Sequence, residues 1–166
     1  LGHRRITLLA GTADHSADRE RLAGYRQAMH EAGLDDLSRI VRGPLTRCAG
    51  REITLELMRG DDMPTALICH NNLVALGALL ALSHLGLRAG QDCAVVGVDD
   101  IDEAALTDPA LTSIATHPRS IGRRAAELAL KRIRTPDGER ERIVLDAPLM
   151  VRASSQPSLD RPQESP

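Results

Sequence analysis

Short apolar runs alternate along the chain with longer stretches in which apolar residues return every three or four positions. Ile6-Thr7-Leu8-Leu9-Ala10 is the first run; stopped by Gly11, it predicts a buried strand. Ser16 can then cap a helix carrying Leu22, Tyr25, Met29 and Ala32 on one side, and Gly33 suits the position that ends it. Ile40-Val41 predicts a short second strand closed by Gly43-Pro44, and a second helix is expected from about Ala49 to Met58, with Ile53, Leu57 and Met58 on its apolar side. Pro64 precedes Ala66-Leu67-Ile68-Cys69, a third buried strand.

The next stretch, from about Asn72 to Leu85, is apolar on almost every side (Leu73, Val74, Leu76, Leu79, Leu80, Leu82, Leu85). Such a helix is either buried all round or part of an oligomer interface. Ala94-Val95-Val96-Gly97-Val98 is a fourth strand, followed by Asp99-Asp100. Ser113-Ile114 is a short extended piece leading through Pro118 to a helix at about 120–134, and Ile143-Val144-Leu145 and Leu149-Met150-Val151 are late strand candidates. Past Ala153 the chain turns to Ser, Pro, Gln and Glu, which predicts a domain over 1–155 and a disordered tail over 156–166. Continuous apolar strands alternating with helices indicate an α/β fold, a three-layer parallel sheet with helices on both faces.

Composition narrows the function classes. At 166 residues there is room for one compact domain. Lys+Arg 21 against Asp+Glu 23 leaves no basic surface for nucleic acid and no polybasic strip for a membrane. Cys48, Cys69 and Cys93 have no CxxC spacing and read as reduced cytoplasmic residues. No apolar run has the length of a membrane span, and the first residues show no signal-peptide core; the abrupt entry into a strand suggests a piece of a longer protein. Tyr25 is the single aromatic residue, so ring stacking against bases or sugars is not available from this chain.

Among reactive motifs, GxGxxG, GxxxxGK[ST] and GxSxG are all missing, and the six histidines lack ligand spacing, so no cofactor and no metal are expected. The acidic run Asp99-Asp100-Ile101-Asp102-Glu103 could belong to a phospho-acceptor pocket, but that chemistry wants a lysine after a late strand, and Lys131 falls inside a helix. Paired-carboxylate catalysis is a second possibility. For Asp100, Asp102 and Glu103 a solvated, turn-capping loop is the expectation. Asp99 stands apart because it directly follows a buried strand.

Ligands of open α/β sheets bind outside the carboxyl ends of the strands. That rule selects Thr12 and Asp14 after the first strand, Pro44-Leu45 after the second, His70-Asn71-Asn72 after the third and Asp99 after the fourth. The set is rich in hydrogen-bonding groups and shows no nucleophile–base pair, which suits binding a polar ligand better than breaking one.

At these residues the chain resembles the LacI/GalR family of bacterial transcriptional regulators, in the effector-binding domain related to periplasmic sugar-binding proteins. The landmarks are GHRRITLLAG at 2–11, RLAGYRQAM at 21–29, PTALICHNNLVALGALLAL at 64–82, VVGVDD at 95–100, LTSIATHPRSIGRRAAELAL at 111–130 and LMVRASS at 149–155. Each is modest alone; six in order and at the right spacing are specific. The resemblance implies two Rossmann-like lobes holding an effector between them, of which this chain matches the second lobe onward. The helix at 120–134, with Ile121, Ala125, Leu128 and Ile133 on its apolar face, would then belong to the first lobe.

The resemblance also assigns roles. Arg21 matches an effector-contacting arginine, suited to vicinal hydroxyls or a carboxylate; a solvent-facing helix arginine is the structural alternative. Asn71 matches an asparagine that reads a hydroxyl, or simply caps the helix that follows. Asp99 matches an aspartate that accepts from sugar hydroxyls, and Thr116 lies near a crossover that lines the pocket. Leu45 stands where sugar-binding members carry a stacking aromatic, and Asn71-Asn72 replaces the usual Asn-Asp. The partners implied are a small-molecule effector, a second copy through this lobe (the 72–85 helix and the segment after Asp99), and operator DNA only through an N-terminal domain outside the match. A non-enzymatic regulator is the reading; the alternative is an extracytoplasmic sugar-binding protein of a transporter.

Overall fold

The computed structural model describes residues 1–12 and 16–156. Its elements run β1 (Ile6–Ala10), α1 (Ser16–Glu31), β2 (Arg39–Arg42), α2 (Arg47–Leu57), β3 (Ala66–Cys69), α3 (Asn72–His84), β4 (Ala94–Val98), α4 (Asp102–Leu106), β5 (Thr112–Ile114), α5 (Pro118–Arg134) and β6 (Leu149–Met150). The sheet has the order β2-β1-β3-β4-β5-β6, parallel throughout except that β6 returns antiparallel to β5.

Alternate residues of each strand serve opposite faces, and the two halves of the core follow that period. Leu8 and Ala10 of β1 join Tyr25 and Met29 of α1 on one face. Leu9 of β1, Leu67 and Cys69 of β3 and Val95 of β4 join α2 and α3 on the other. Tyr25 ties the first face together: its buried phenol donates to the Ile6 carbonyl at 2.8 Å and accepts from the Arg39 amide at 3.0 Å. α2 and α3 touch backbone to backbone at Gly50 and Gly77. A Cβ on Gly50 would stand 2.3 Å from the Val74 carbonyl, and one on Gly77 2.1 Å from that of Arg47. Only glycine permits that approach.

Four expectations need correction. α2 begins at Arg47 rather than Ala49, because the Thr46 side chain accepts from the Ala49 amide at 3.1 Å and caps the helix earlier. The acidic run after β4 is not all loop: Asp102–Leu106 form the short α4, anchored by the fully buried Ala104, while Asp102 and Glu103 are exposed as expected. Asp100 is held in an ion pair with Arg152. Residues 143–145 form no strand, since nothing in the sheet beyond β6 is there to pair them.

The chain also stays ordered past Ala153. Ser154 is fully buried, its hydroxyl donating to the Val95 carbonyl at 2.6 Å and accepting from the Thr112 amide at 2.8 Å. The rest of the expected tail, 157–166, and the edge candidate Asp14 lie outside the described residues.

α3 is buried along most of its length, yet Leu73 and Leu80 face outward, as does Leu106 of α4. α5 contrasts with every other long helix: none of its residues is buried, and Ile121, Leu130 and Ile133 lie exposed. No helix among the described residues is long and apolar enough to cross a membrane.

Candidate functional site

The strand order 2-1-3-4-5 reverses between β1 and β3, and the connections leaving these two strands part to opposite faces of the sheet. Their carboxyl ends are the usual ligand position in open α/β sheets. The residues that reach it are short polar extensions of strands: Gly11 and Thr12 from β1, His70, Asn71 and Asn72 from β3, and Asp99 from the adjacent β4. α1 adds Asp18 and Arg21, which lie three residues apart and therefore on one helical face.

His70 is buried between those two α1 side chains. Its Nε2 lies 2.6 Å from Nη1 of Arg21, and its Nδ1 lies 3.2 Å from Oδ1 of Asp18. A guanidinium has donors only, so Nε2 must accept and the ring proton must sit on Nδ1, facing the carboxylate. The imidazole is therefore neutral. Burial pushes its pKa below the ordinary value and the Arg21 charge pushes the same way, while Asp18 and Asp99 pull it back.

The remaining predicted residues divide by what already engages them. Asn71 caps α3, its Oδ1 accepting from the Val74 amide at 3.0 Å, so the cap role is realised. Asp99 closes β4 with φ 104°, a conformation that side-chain-bearing residues rarely adopt, and its amide donates to the Ile114 carbonyl at 2.9 Å. Leu45 is half-buried against the core and close to Gly11, where a Cβ would meet its methyls at 3.4 Å. Thr116 is half-buried just past β5, with Ala115 beside it bonded to the Pro148 carbonyl at 2.9 Å. Arg21, Asp18 and His70 are in direct contact, and Asp99 is near enough to act on His70 electrostatically.

Two edge residues escaped the sequence reading. Arg42, at the end of β2, turns across the edge to donate to the Gly11 carbonyl at 2.9 Å. Asp18 is buried although it sits in the first turn of α1; its spacing from Arg21 was the available signal.

Asn72, at the start of α3, is 1% exposed, with Oδ1 accepting from the Ser113 hydroxyl at 2.8 Å. Gly97 makes room for it: a Cβ there would come within 2.4 Å of Oδ1. Its Nδ2 is buried without a hydrogen-bond partner among the described residues. An aspartate would accept the same bond and leave no orphan donor.

Neither buried thiol is suited to chemistry. Burial pushes Cys93 up to about 12 and raises Cys69 further still. Among the described residues no group of three His, Cys, Asp or Glu side chains is placed to hold a metal ion. A hollow of about 740 Å³ opens at the far, amino end of the sheet, between Leu87, Arg88, Asp108 and Gln156, away from the polar edge.

A periplasmic binding protein-like domain matches residues 1–155. The CytR transcriptional repressor of Escherichia coli K12 is 35% identical over 155 residues, which cover 93% of this chain and 46% of that protein. The chain belongs to the LacI/GalR family of transcriptional regulators. It spans about half the length of the curated relatives it matches.

Among solved structures, a LacI-family regulator from Enterococcus faecium with bound ribose superposes with a TM-score of 0.85 at 26% identity, covering 95% of this chain and 58% of that one. A Lac repressor dimer bound to operator and the anti-inducer ONPF gives a TM-score of 0.84 at 28% identity, covering 93% and 46%. In LacI/GalR terms, the mostly parallel sheet described above is the C-terminal part of the effector-binding domain.

Proposed function

We propose that this chain is the effector-sensing lobe of a cytoplasmic, non-enzymatic LacI/GalR-type regulator, and that its carboxyl edge binds a sugar or related polar metabolite. The observation that carries the reading is the Asp18–His70–Arg21 chain at the β1/β3 switch point, facing the strained Asp99. A fixed guanidinium offers paired donors, and a carboxylate at the same edge offers acceptors; together they complement vicinal hydroxyls. Asn71 contributes its free amide nitrogen, and Thr116 and Leu45 flank the site. With Nε2 of His70 occupied by the Arg21 guanidinium, that nitrogen is not open to act as a general base.

The solved relative that holds ribose supports this ligand class. The other wall of the site would come from a second lobe outside this chain, against which the exposed apolar side of α5 would pack. Two copies would pair through the outward leucines of α3 and α4, and operator DNA would be bound only by a segment outside this chain. An effector that prefers one lobe arrangement shifts the population toward it, and that shift is the signal.

Isothermal titration calorimetry of the intact protein against D-ribose, cellobiose and a nucleoside panel tests the reading. Saturable binding that is lost on Arg21→Ala and Asp99→Ala supports it. Binding that survives both substitutions refutes it.

A further inference from the structure

Arg21 projects half-exposed from the first half of α1 with four flexible bonds, and a free arginine would sample many rotamers. Here it is bound instead to a ring that is itself immobilised. His70 follows directly on β3, its amide donates to the Leu9 carbonyl at 2.9 Å, and its side chain is sunk between α1 and the sheet. Only a neutral imidazole with its proton on Nδ1 leaves Nε2 free to accept, because Arg21 supplies donors alone; the proton then lies on the side of the Asp18 carboxylate, 3.2 Å from Nδ1.

We propose that His70 is a positioning residue, whose neutral imidazole fixes the Arg21 guanidinium at the carboxyl edge and releases it when Nε2 takes a proton. Protonation removes the acceptor, places a second N–H against the guanidinium and sets two positive charges at hydrogen-bond distance. Arg21 is half-exposed and free to swing outward, whereas His70 is held by the strand.

The groups that face the ring are identifiable from each packed element. α1 brings Arg21, which opposes protonation, and Asp18, which favours it; the turn after β4 brings Asp99, which favours it more weakly. The Leu9 carbonyl of β1 accepts from the His70 amide, and Arg42 of β2 is turned onto the Gly11 carbonyl. Burial and Arg21 outweigh the carboxylates, so release occurs on the acid side of an ordinary imidazole titration. The consequence for effector capture rests on the functional reading above; the Arg21–His70 geometry does not.

Side-chain nitrogen NMR of the intact protein, isotope-labelled on histidine and arginine and titrated from about pH 8 to about pH 4.5, tests the proposal. The expected result is an Nδ1–H tautomer for His70, and a slowly exchanging Arg21 Nη signal that disappears as His70 protonates. Arg21→Gln should move the His70 titration to higher pH. His70→Gln, which offers an amide oxygen in place of Nε2, should keep the Arg21 signal across the whole range, and His70→Ala should lose it at every pH while backbone shifts elsewhere persist. An Nε2–H tautomer, an Arg21 signal indifferent to His70 protonation, or equal Arg21 mobility in the Gln and Ala variants overturns the proposal. The effector reading is judged separately: sugar binding that survives Arg21→Ala removes the functional consequence and leaves the NMR result standing.

Discussion

Asp100 and Arg152, 52 residues apart in sequence, meet in a forked ion pair, Nη1 on Oδ1 at 2.6 Å and Nη2 on Oδ2 at 3.3 Å. The same guanidinium donates to the Leu111 carbonyl at 2.7 Å, so it fastens the turn after β4, the entry to β5 and the segment after β6. Both side chains are mostly buried, at 20% and 17% exposure, which places the pair between a surface bridge and a core one. Arg152→Ala should therefore cost about 2 kcal/mol in urea unfolding. Arg152→Lys should recover little of it, because an ammonium cannot span both oxygens and the carbonyl. A loss under about 0.5 kcal/mol would show the pair to be incidental.

The glycine contact between α2 and α3 predicts a larger effect from a smaller change. Gly77→Ala places a methyl 2.1 Å from a carbonyl oxygen of the opposing helix, and neither backbone can rotate away. The expected destabilisation is about 3 kcal/mol, despite the gain in helix propensity. Gly24→Ala on α1, where a Cβ meets nothing, is the control and should be neutral or slightly stabilising by thermal melting.

His70 gives the folded state a pH dependence whose sign is fixed. Its pKa is lower folded than unfolded, so between those two values the unfolded chain binds the extra proton. Its contribution is fully present above the ordinary imidazole value and is lost as pH falls through the window below it. Stability curves of wild type and His70→Gln should run parallel above that window. Within it, the wild type should fall faster by up to about 1.4 kcal/mol per pH unit, the limit for one proton. Parallel curves throughout would mean that folding leaves the His70 pKa unchanged.

For effector response, Arg21→Ala and Asp99→Ala should each weaken binding at least about tenfold, the scale of a lost hydrogen bond to a charged group. Asp99→Asn is the cleaner companion, since asparagine tolerates positive φ better than alanine and isolates the charge from the backbone. Melting curves close to wild type would show that these losses come from the site.

The outward leucines carry the dimer proposal. Leu80→Asp alters a side chain that is 52% exposed and should leave the monomer fold intact. Sedimentation of the intact protein should then show dimer dissociation at least about tenfold easier than in wild type, the order expected from burying one charge in an apolar contact. An unchanged dimer would place the interface elsewhere.

Much of the edge chemistry was legible because it follows strands. A buried apolar run announces its own end, and in a parallel sheet each end after the first crossover lies on the same rim; His70, Asn71 and Asp99 could be found that way. Asp18 and Arg42 were harder. Each belongs to an ordinary polar pattern on a helix or strand terminus, and only packing turns Asp18 inward or Arg42 across the edge. Asp100 and the short helix α4 were missed for the same reason: the Asp100 partner arrives from beyond β6, and Ala104 finds its burial in a core assembled from distant strands.

What the sequence by itself determined is local in origin: the apolar runs that become β1, β3 and β4, the helices between them, the absence of an aromatic platform, and the six landmarks of the LacI/GalR pattern. Tertiary structure decided which groups meet. The tautomer of His70, the posture of Arg21, the ion pair of Asp100 and the burial of Ser154 each depend on contacts between residues tens of positions apart. Periodicity records which face a residue takes, but not which side chain waits there.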